Sequence, residues 1–220
     1  MPASPFLPHV TAGGRTMHIE FLVEEPSAEA ALNNIVPRII GARNTFRVHP
    51  HQGKQDLLKS LPKRLRGYAR WLPADWRIVV LVDEDREDCR QLKARLELAA
   101  FDAGLTTRGA AGAASRIQVV NRIAVEELEA WLLGDGEAVR AAYPRVSKTF
   151  ETRAKYRHPD AITGGTWEAL EQLLQRAGYV PGGLAKVSVA SSISRHMDPS
   201  RNRSSSFAVF HRALAELVGA

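Results

Sequence analysis

The sequence predicts an α/β protein with a mainly parallel central sheet flanked by helices and a helical C-terminal extension. Three observations carry that expectation. Short runs of Ile, Val and Leu alternate with stretches of helical period, which implies strands joined by right-handed helical crossovers. The most apolar run, Val79-Val80-Leu81-Val82, has no polar alternation, as in a central strand covered on both faces. It stops on Asp83-Glu84-Asp85-Arg86, and open α/β sheets do their chemistry outside the carboxyl ends of their strands.

Residues 1–16 hold Pro, Gly, Ser and Thr without period and are expected to form a disordered or loosely docked extension. From His18, Ile19–Val23 reads as the first strand. It runs into Glu24-Glu25-Pro26-Ser27 and a helix to about Ile40, with Pro26 and Ser27 suited to a first turn. Phe46–His49 reads as a second strand. A basic amphipathic helix follows from Asp56 to about Trp71, with Leu57, Leu58, Leu61 and Leu65 on its apolar side. His49 and His51 alternate like strand residues, and a surface or core role outweighs a metal role for them because no imidazole-rich shell lies nearby.

Beyond Asp85, a helix is expected from Asp88 to Ala103, then a Gly- and Ala-rich loop to Ser115 and a strand at Arg116–Val120. Ile123–Asp135 reads as a further helix, on which Glu126 and Glu129, three apart, share a face. Short helices are expected at Trp167–Ala177, Ala185–His196 and Phe207–Val218, punctuated by turns such as Pro181-Gly182-Gly183. Ser204-Ser205-Ser206 suits either a phosphate contact or a helix cap. The division is therefore an extension at 1–16, an α/β domain at 17–140 and a basic helical subdomain at 141–220 packed on the sheet.

Composition narrows the function. The 220 residues are 45% hydrophobic and 25% charged, ordinary for a globular protein. With neither a membrane-length apolar run nor a signal-peptide pattern, the expected location is the cytoplasm. The single cysteine, Cys89, excludes an internal disulfide and a thiolate zinc site. The net charge is +6, and residues 140–220 hold 12 of the 30 basic but only 6 of the 24 acidic side chains. Acids come first and basic surface follows, which suits a metal site beside a polyanion track.

Glu24 closing the first strand, Asp83-x-Asp85 closing a later one and a downstream Glu together resemble the Toprim domain of topoisomerases, bacterial primases and OLD-type nucleases. The wording of Val23–Glu29, Gly53-Lys54-Gln55, Leu81–Arg86, Glu127–Trp131 and Lys186 before Asn202–Phe207 is similar to a compact Toprim-like bacterial family of unknown function, domain of unknown function forty-two seventy-six. The resemblance implies that Glu24 is a metal ligand or acid/base, that Asp83 and Asp85 bind metal, and that Glu126 or Glu129 is an additional acid. It also implies that Lys186 neutralises phosphate. Glu25 stands where Toprim domains usually place glycine.

Carboxylates without a Cys or His cluster select a hard cation, Mg²⁺ or Mn²⁺. The expected activity is metal-dependent hydrolysis of nucleic acid by Glu24, Asp83, Asp85 and an acid from Glu126–Glu129, in a phage-defence or DNA-processing context. Lys54, Lys186, Arg195, Arg201 and Arg203 would hold the phosphate backbone. The alternative is a non-catalytic Toprim-like module that binds nucleic acid or a partner ATPase of a defence system. Topoisomerase and primase activities need further domains for which the chain is too short, and a P-loop is excluded because Gly53-Lys54 lacks the required glycine spacing.

Overall fold

The computed structural model describes residues 16–112, 116–179, 183 and 185–219. Apart from Thr16, the expected N-terminal extension lies outside the described residues, as do Ser115 and the Pro181-Gly182 part of the expected turn.

Four strands, β1 (His18–Val23), β2 (Thr45–Pro50), β3 (Trp76–Asp83) and β4 (Val119–Ala124), form an all-parallel sheet in the order β2-β1-β3-β4. Its connections are α1 (Pro26–Ile40), α2 (Lys54–Ala69) and α3 (Cys89–Asp102). Period-two alternation divides the strands between two cores. Ile19, Phe21, Val23, Val79 and Leu81 join Leu32, Ile35 and Val36 of α1 on one face. On the other, Leu22, Ile78, Val80 and Val82 meet Leu57, Leu61 and Leu65 of α2 and Leu92 and Leu96 of α3. Residues of β1 and β3 are covered on both faces, and the near-continuous apolar wording of those strands follows from that.

Past β4 come α4 (Glu129–Leu133), α5 (Gly136–Ala142), three single-turn 3₁₀ segments, α6 (Thr166–Arg176), α7 (Lys186–Ser194) and α8 (Ser205–Val218). These helices share the α1-side core: Trp131, Leu170, Ile193, Phe207 and Phe210 are buried in one cluster with Phe21 and Val79. The α7 helix is tied to α1 by polar contacts. Asn34 Nδ2 donates to Ser194 Oγ (2.9 Å), and Arg38 donates to the carbonyls of Ser194 (3.1 Å) and Met197 (2.6 Å), taking up the orphan acceptors at the end of α7. Ser204 caps α8 by accepting from Phe207 N at 3.1 Å, the second of its two expected roles.

Two of the boundaries that differ from expectation bear on the site. The fourth strand runs to Ala124, so Ile123 and Ala124, expected on a helix, pair with Val82 and Asp83 instead. Ladder hydrogen bonds to a buried neighbour outweigh the weak helical period there. The second helix begins at Lys54 rather than Asp56, directly after Gly53, whose φ of 94° turns the chain from strand to helix.

Candidate functional site

The sheet brings its acids together at the carboxyl rim. Glu24 directly follows β1 and Asp83 ends β3, and Glu24 Oε1 accepts a 2.7 Å hydrogen bond from Asp83 N. Glu129 opens α4 nearby, with only 1% of its surface exposed, and its Oε2 has no hydrogen-bond partner. Glu25 lies at the entry to α1, where its Oε1 accepts from Ser27 Oγ (2.7 Å) and lies 3.6 Å from Lys186 Nζ. The lysine stands 5.4 Å from the centre of the Trp167 ring.

Electrostatics follow from this crowding. Burial raises Glu24 to about 7, with Asp85 and Glu25 adding to the rise while the Asp83 N–H and Lys54 oppose it. Asp83 is ringed by protein yet still reached by solvent; burial, then Glu24, Glu129, Asp85 and Glu25, hold it well above the usual carboxylate range. Burial also lifts Glu129 to about 7, against the pull of Lys186. Burial works against charge on Lys186, but Glu129, Glu25, Glu127 and Asp83 keep its proton affinity above normal. Burial, with repulsion among the acids at Glu24 and Asp83, raises the proton affinity of three carboxyls here, as in a site shaped for a cation.

Asp83 and Asp85 are not neighbours on one face of a strand. The strand ends at Asp83, and Asp85 and Arg86 adopt left-handed conformations (φ 50° and 65°), so period-two alternation stops before it reaches Asp85. Asp85 is exposed and lies 3.4 Å from Lys54 Nζ, while still close enough to Glu24 and Asp83 to raise their proton affinity. Lys54 is itself buried. It donates to Glu84 O (2.8 Å) and pairs with Glu87 (3.1 Å). Its amine thus braces the loop after β3, which corrects its expected place on the phosphate-binding surface.

The two expected downstream acids separate. Because β4 runs on to Ala124, Glu126 falls in the turn before α4, with φ 60°, instead of sharing a helical face with Glu129. Its N–H donates to Glu84 Oε2 (3.1 Å), and Asp85 N donates to Glu126 O (3.0 Å), lacing the two rim loops together. Glu127 turns to the N-terminus of α6, accepting from Thr166 Oγ1 (2.9 Å) and Trp167 N (2.8 Å). Glu129 alone of the three reaches into the buried group beside Asp83. Sequence reasoning did not anticipate the Glu25–Lys186 pair or Trp167, because contacts between helices distant in sequence leave no local signal.

Two expected phosphate-binding arginines are engaged elsewhere. Arg201 Nε donates to the buried Asp135 (2.8 Å), and its Nη1 lies 3.0 Å from Glu137. Arg203 Nη1 donates to Arg157 O (3.1 Å), with Nη2 3.7 Å from Glu151. Both sit by the junction of α4 and α5, at the end of α4 away from Glu129. Replacing Arg201 by alanine is expected to lower unfolding free energy by about 2 kcal/mol, since it strips a buried carboxylate of its charge partner. It should leave nucleic-acid affinity and its salt slope unchanged; urea denaturation and a salt-titrated binding assay measure the two. Arg195 is exposed, nine residues beyond Lys186 and about 13 Å further along the α7 direction.

Among the described residues, no three His, Cys, Asp or Glu side chains already form a metal cage. The donor set nevertheless fits a hard divalent ion: it is all oxygen, one buried carboxylate oxygen is unpartnered, and the proton affinities are raised by burial and then by neighbouring acids. Glu24, Asp83 and Glu129, with Asp85 at the mouth, are the residues that would hold it. No described helix is long and apolar enough to cross a membrane. No curated protein and no solved structure gives a significant match to the chain. A family model described as a domain of unknown function (DUF4276) matches residues 23–215, and the chain belongs to that family.

Proposed function

We propose that the protein is a divalent-metal-dependent phosphodiesterase acting on nucleic acid. The observation that carries this is the meeting of Glu24, Asp83 and Glu129 at the carboxyl rim of a parallel sheet, with an unpartnered Glu129 oxygen and Lys186 beside them. A bound Mg²⁺ or Mn²⁺ would supply Lewis acidity toward phosphate and lower the pKa of a bound water. The chain's own residues do the rest. Lys186, half-exposed and held by Glu25, offers a cation to a phosphate oxygen. Lys54 fixes the Asp85 loop, and the Glu24–Asp83 N contact sets the spacing of the two strand ends.

The likeness to the Toprim domain of OLD-type nucleases supports the same chemistry, with Glu24, Asp83 and Asp85 at matching positions. Glu25, at the usual glycine position, binds Lys186 in place of leaving room for a phosphate. The cytoplasm, a DNA-processing or phage-defence setting and a partner ATPase belong to this proposal.

Incubation with labelled single- and double-stranded DNA and RNA, in Mg²⁺, in Mn²⁺ and in EDTA, tests it. Cleavage that EDTA abolishes is the expected result. A second reading, a non-catalytic binding module, is favoured by the lack of a ready-made cage among the described residues. It predicts salt-sensitive binding without cleavage in any cation, and that outcome would replace the enzyme proposal.

A further inference from the structure

The α2 side of the sheet carries a second, chemically different recess. It is a cavity of about 360 Å³ reached by Glu20, Arg47, His49, Arg64, Tyr68, Trp71 and Trp76. Glu20 precedes Glu24 by four residues on the same run, which places the recess about 13 Å from the acidic rim.

Its floor is already satisfied. Glu20 accepts from Tyr68 Oη (2.8 Å) and meets His18 Nε2 (2.9 Å) and His49 Nε2, so both carboxylate oxygens are engaged. Burial opposes its charge, but those three hydrogen bonds hold its proton affinity below normal. The floor is therefore a finished internal network, and it fixes the Tyr68 ring that forms part of one wall.

The walls are aromatic. Trp71 lies between Tyr68 and Trp76, with ring centres 5.4 and 5.5 Å away, and is 55% exposed. A large indole left in water beside two other rings is a surface that gains from being covered by a flat ring. At the mouth stand Arg47 on the edge strand β2 and Arg64 on α2, both exposed. Among the described residues neither forms an ion pair. Two guanidiniums share one aromatic slot whose single carboxylate is already spent. With the Glu20 carboxylate engaged on the floor by Tyr68 and two histidines, the two exposed guanidiniums at the mouth are left to meet a further anion, and guanidinium geometry favours phosphate.

We propose that this recess binds a nucleobase together with its phosphate, the base stacked on Trp71 and the phosphate held by Arg47 and Arg64. The volume is of the size that holds a small ligand, and base stacking on exposed aromatics flanked by basic groups is how proteins hold single strands. The same chemistry belongs to a free nucleotide and to one residue of a single strand. Because the recess is separate from the acidic rim, the inference stands whether or not the protein cleaves nucleic acid.

Isothermal titration calorimetry of the full chain in EDTA, with Asp83→Asn as the background, tests it apart from any cleavage. The probes are thymidine monophosphate, an oligodeoxythymidylate, thymidine and inorganic phosphate. Saturable binding is expected for the first two, weakened about tenfold or more by Trp71→Ala and by the Arg47→Ala/Arg64→Ala pair. These side chains are exposed at the mouth and wall, and circular dichroism verifies that the variants fold. Equal affinity for the mononucleotide and the oligonucleotide identifies a nucleotide site, and markedly tighter oligonucleotide binding identifies a strand site. No saturable heat with either, affinity unchanged by the substitutions, or inorganic phosphate binding as tightly as thymidine monophosphate would overturn the inference.

Discussion

Replacing Asp83 by asparagine is expected to slow cation-dependent cleavage of nucleic acid by about 10²–10³-fold, without loss of stability in EDTA. Asp83 faces Glu24, Glu129, Asp85 and Glu25, all of which raise its proton affinity, and Lys54 and Lys186 pair with other acids of that group. An amide keeps the shape and removes a charge that the apo protein tolerates poorly, so the cation-free melting temperature should hold or rise. Turnover by single-time-point and initial-rate assays, alongside thermal melts in EDTA, separates the two effects. Wild-type turnover in the variant would remove Asp83 from the site; a large drop in melting temperature would show instead that its carboxyl is structural.

The second large effect concerns pH. Burial raises Glu129 from 4.5 to about 7. Below about pH 4.5 the folded and unfolded chains are both protonated at this group and its contribution to stability is complete. Between about 4.5 and 7 the unfolded chain releases a proton that the folded one keeps, so stability falls as pH rises, and the loss is complete above about 7. For a shift of this size the loss approaches about 3 kcal/mol. Urea denaturation in EDTA from about pH 5 to 8 should therefore show a wild-type decline that is smaller by that amount in Glu129→Gln. The variant should be the more stable protein at the upper end. Addition of Mg²⁺ or Mn²⁺ should restore stability to the wild type more than to the variant, because binding to the folded state alone stabilises it. Parallel pH profiles for the two proteins would show that Glu129 ionises freely, in contact with solvent.

What could be read from the linear chain was whatever its neighbours in sequence determine. Val79–Val82 announces a doubly covered strand by the absence of polar alternation, and β1 and β3 place Glu24 and Asp83 at the rim because a parallel strand of this length delivers its last residue to the same edge every time. The choice between Glu126 and Glu129 was not readable. It turns on Ile123 and Ala124 joining β4 instead of the expected helix, and on a left-handed turn at Glu126. Nor could Asp85 be placed, since its own left-handed backbone ends the alternation that would have aimed it beside Asp83.

The basic residues mark the same boundary more sharply. A surplus of Lys and Arg in residues 140–220 is plain in the sequence, yet Arg201 serves Asp135, Arg203 serves Glu151, and only the docking of α7 on α1 through Asn34 and Arg38 brings Lys186 to the acids. The sequence by itself determined the parallel α/β scaffold and the strand ends where acids collect, because periodicity and burial are properties of short segments. Only the tertiary structure decided which acids meet, which cations remain available and that Arg47 and Arg64 line one recess with Trp71, because a charge's role depends on partners that folding brings in from distant parts of the chain.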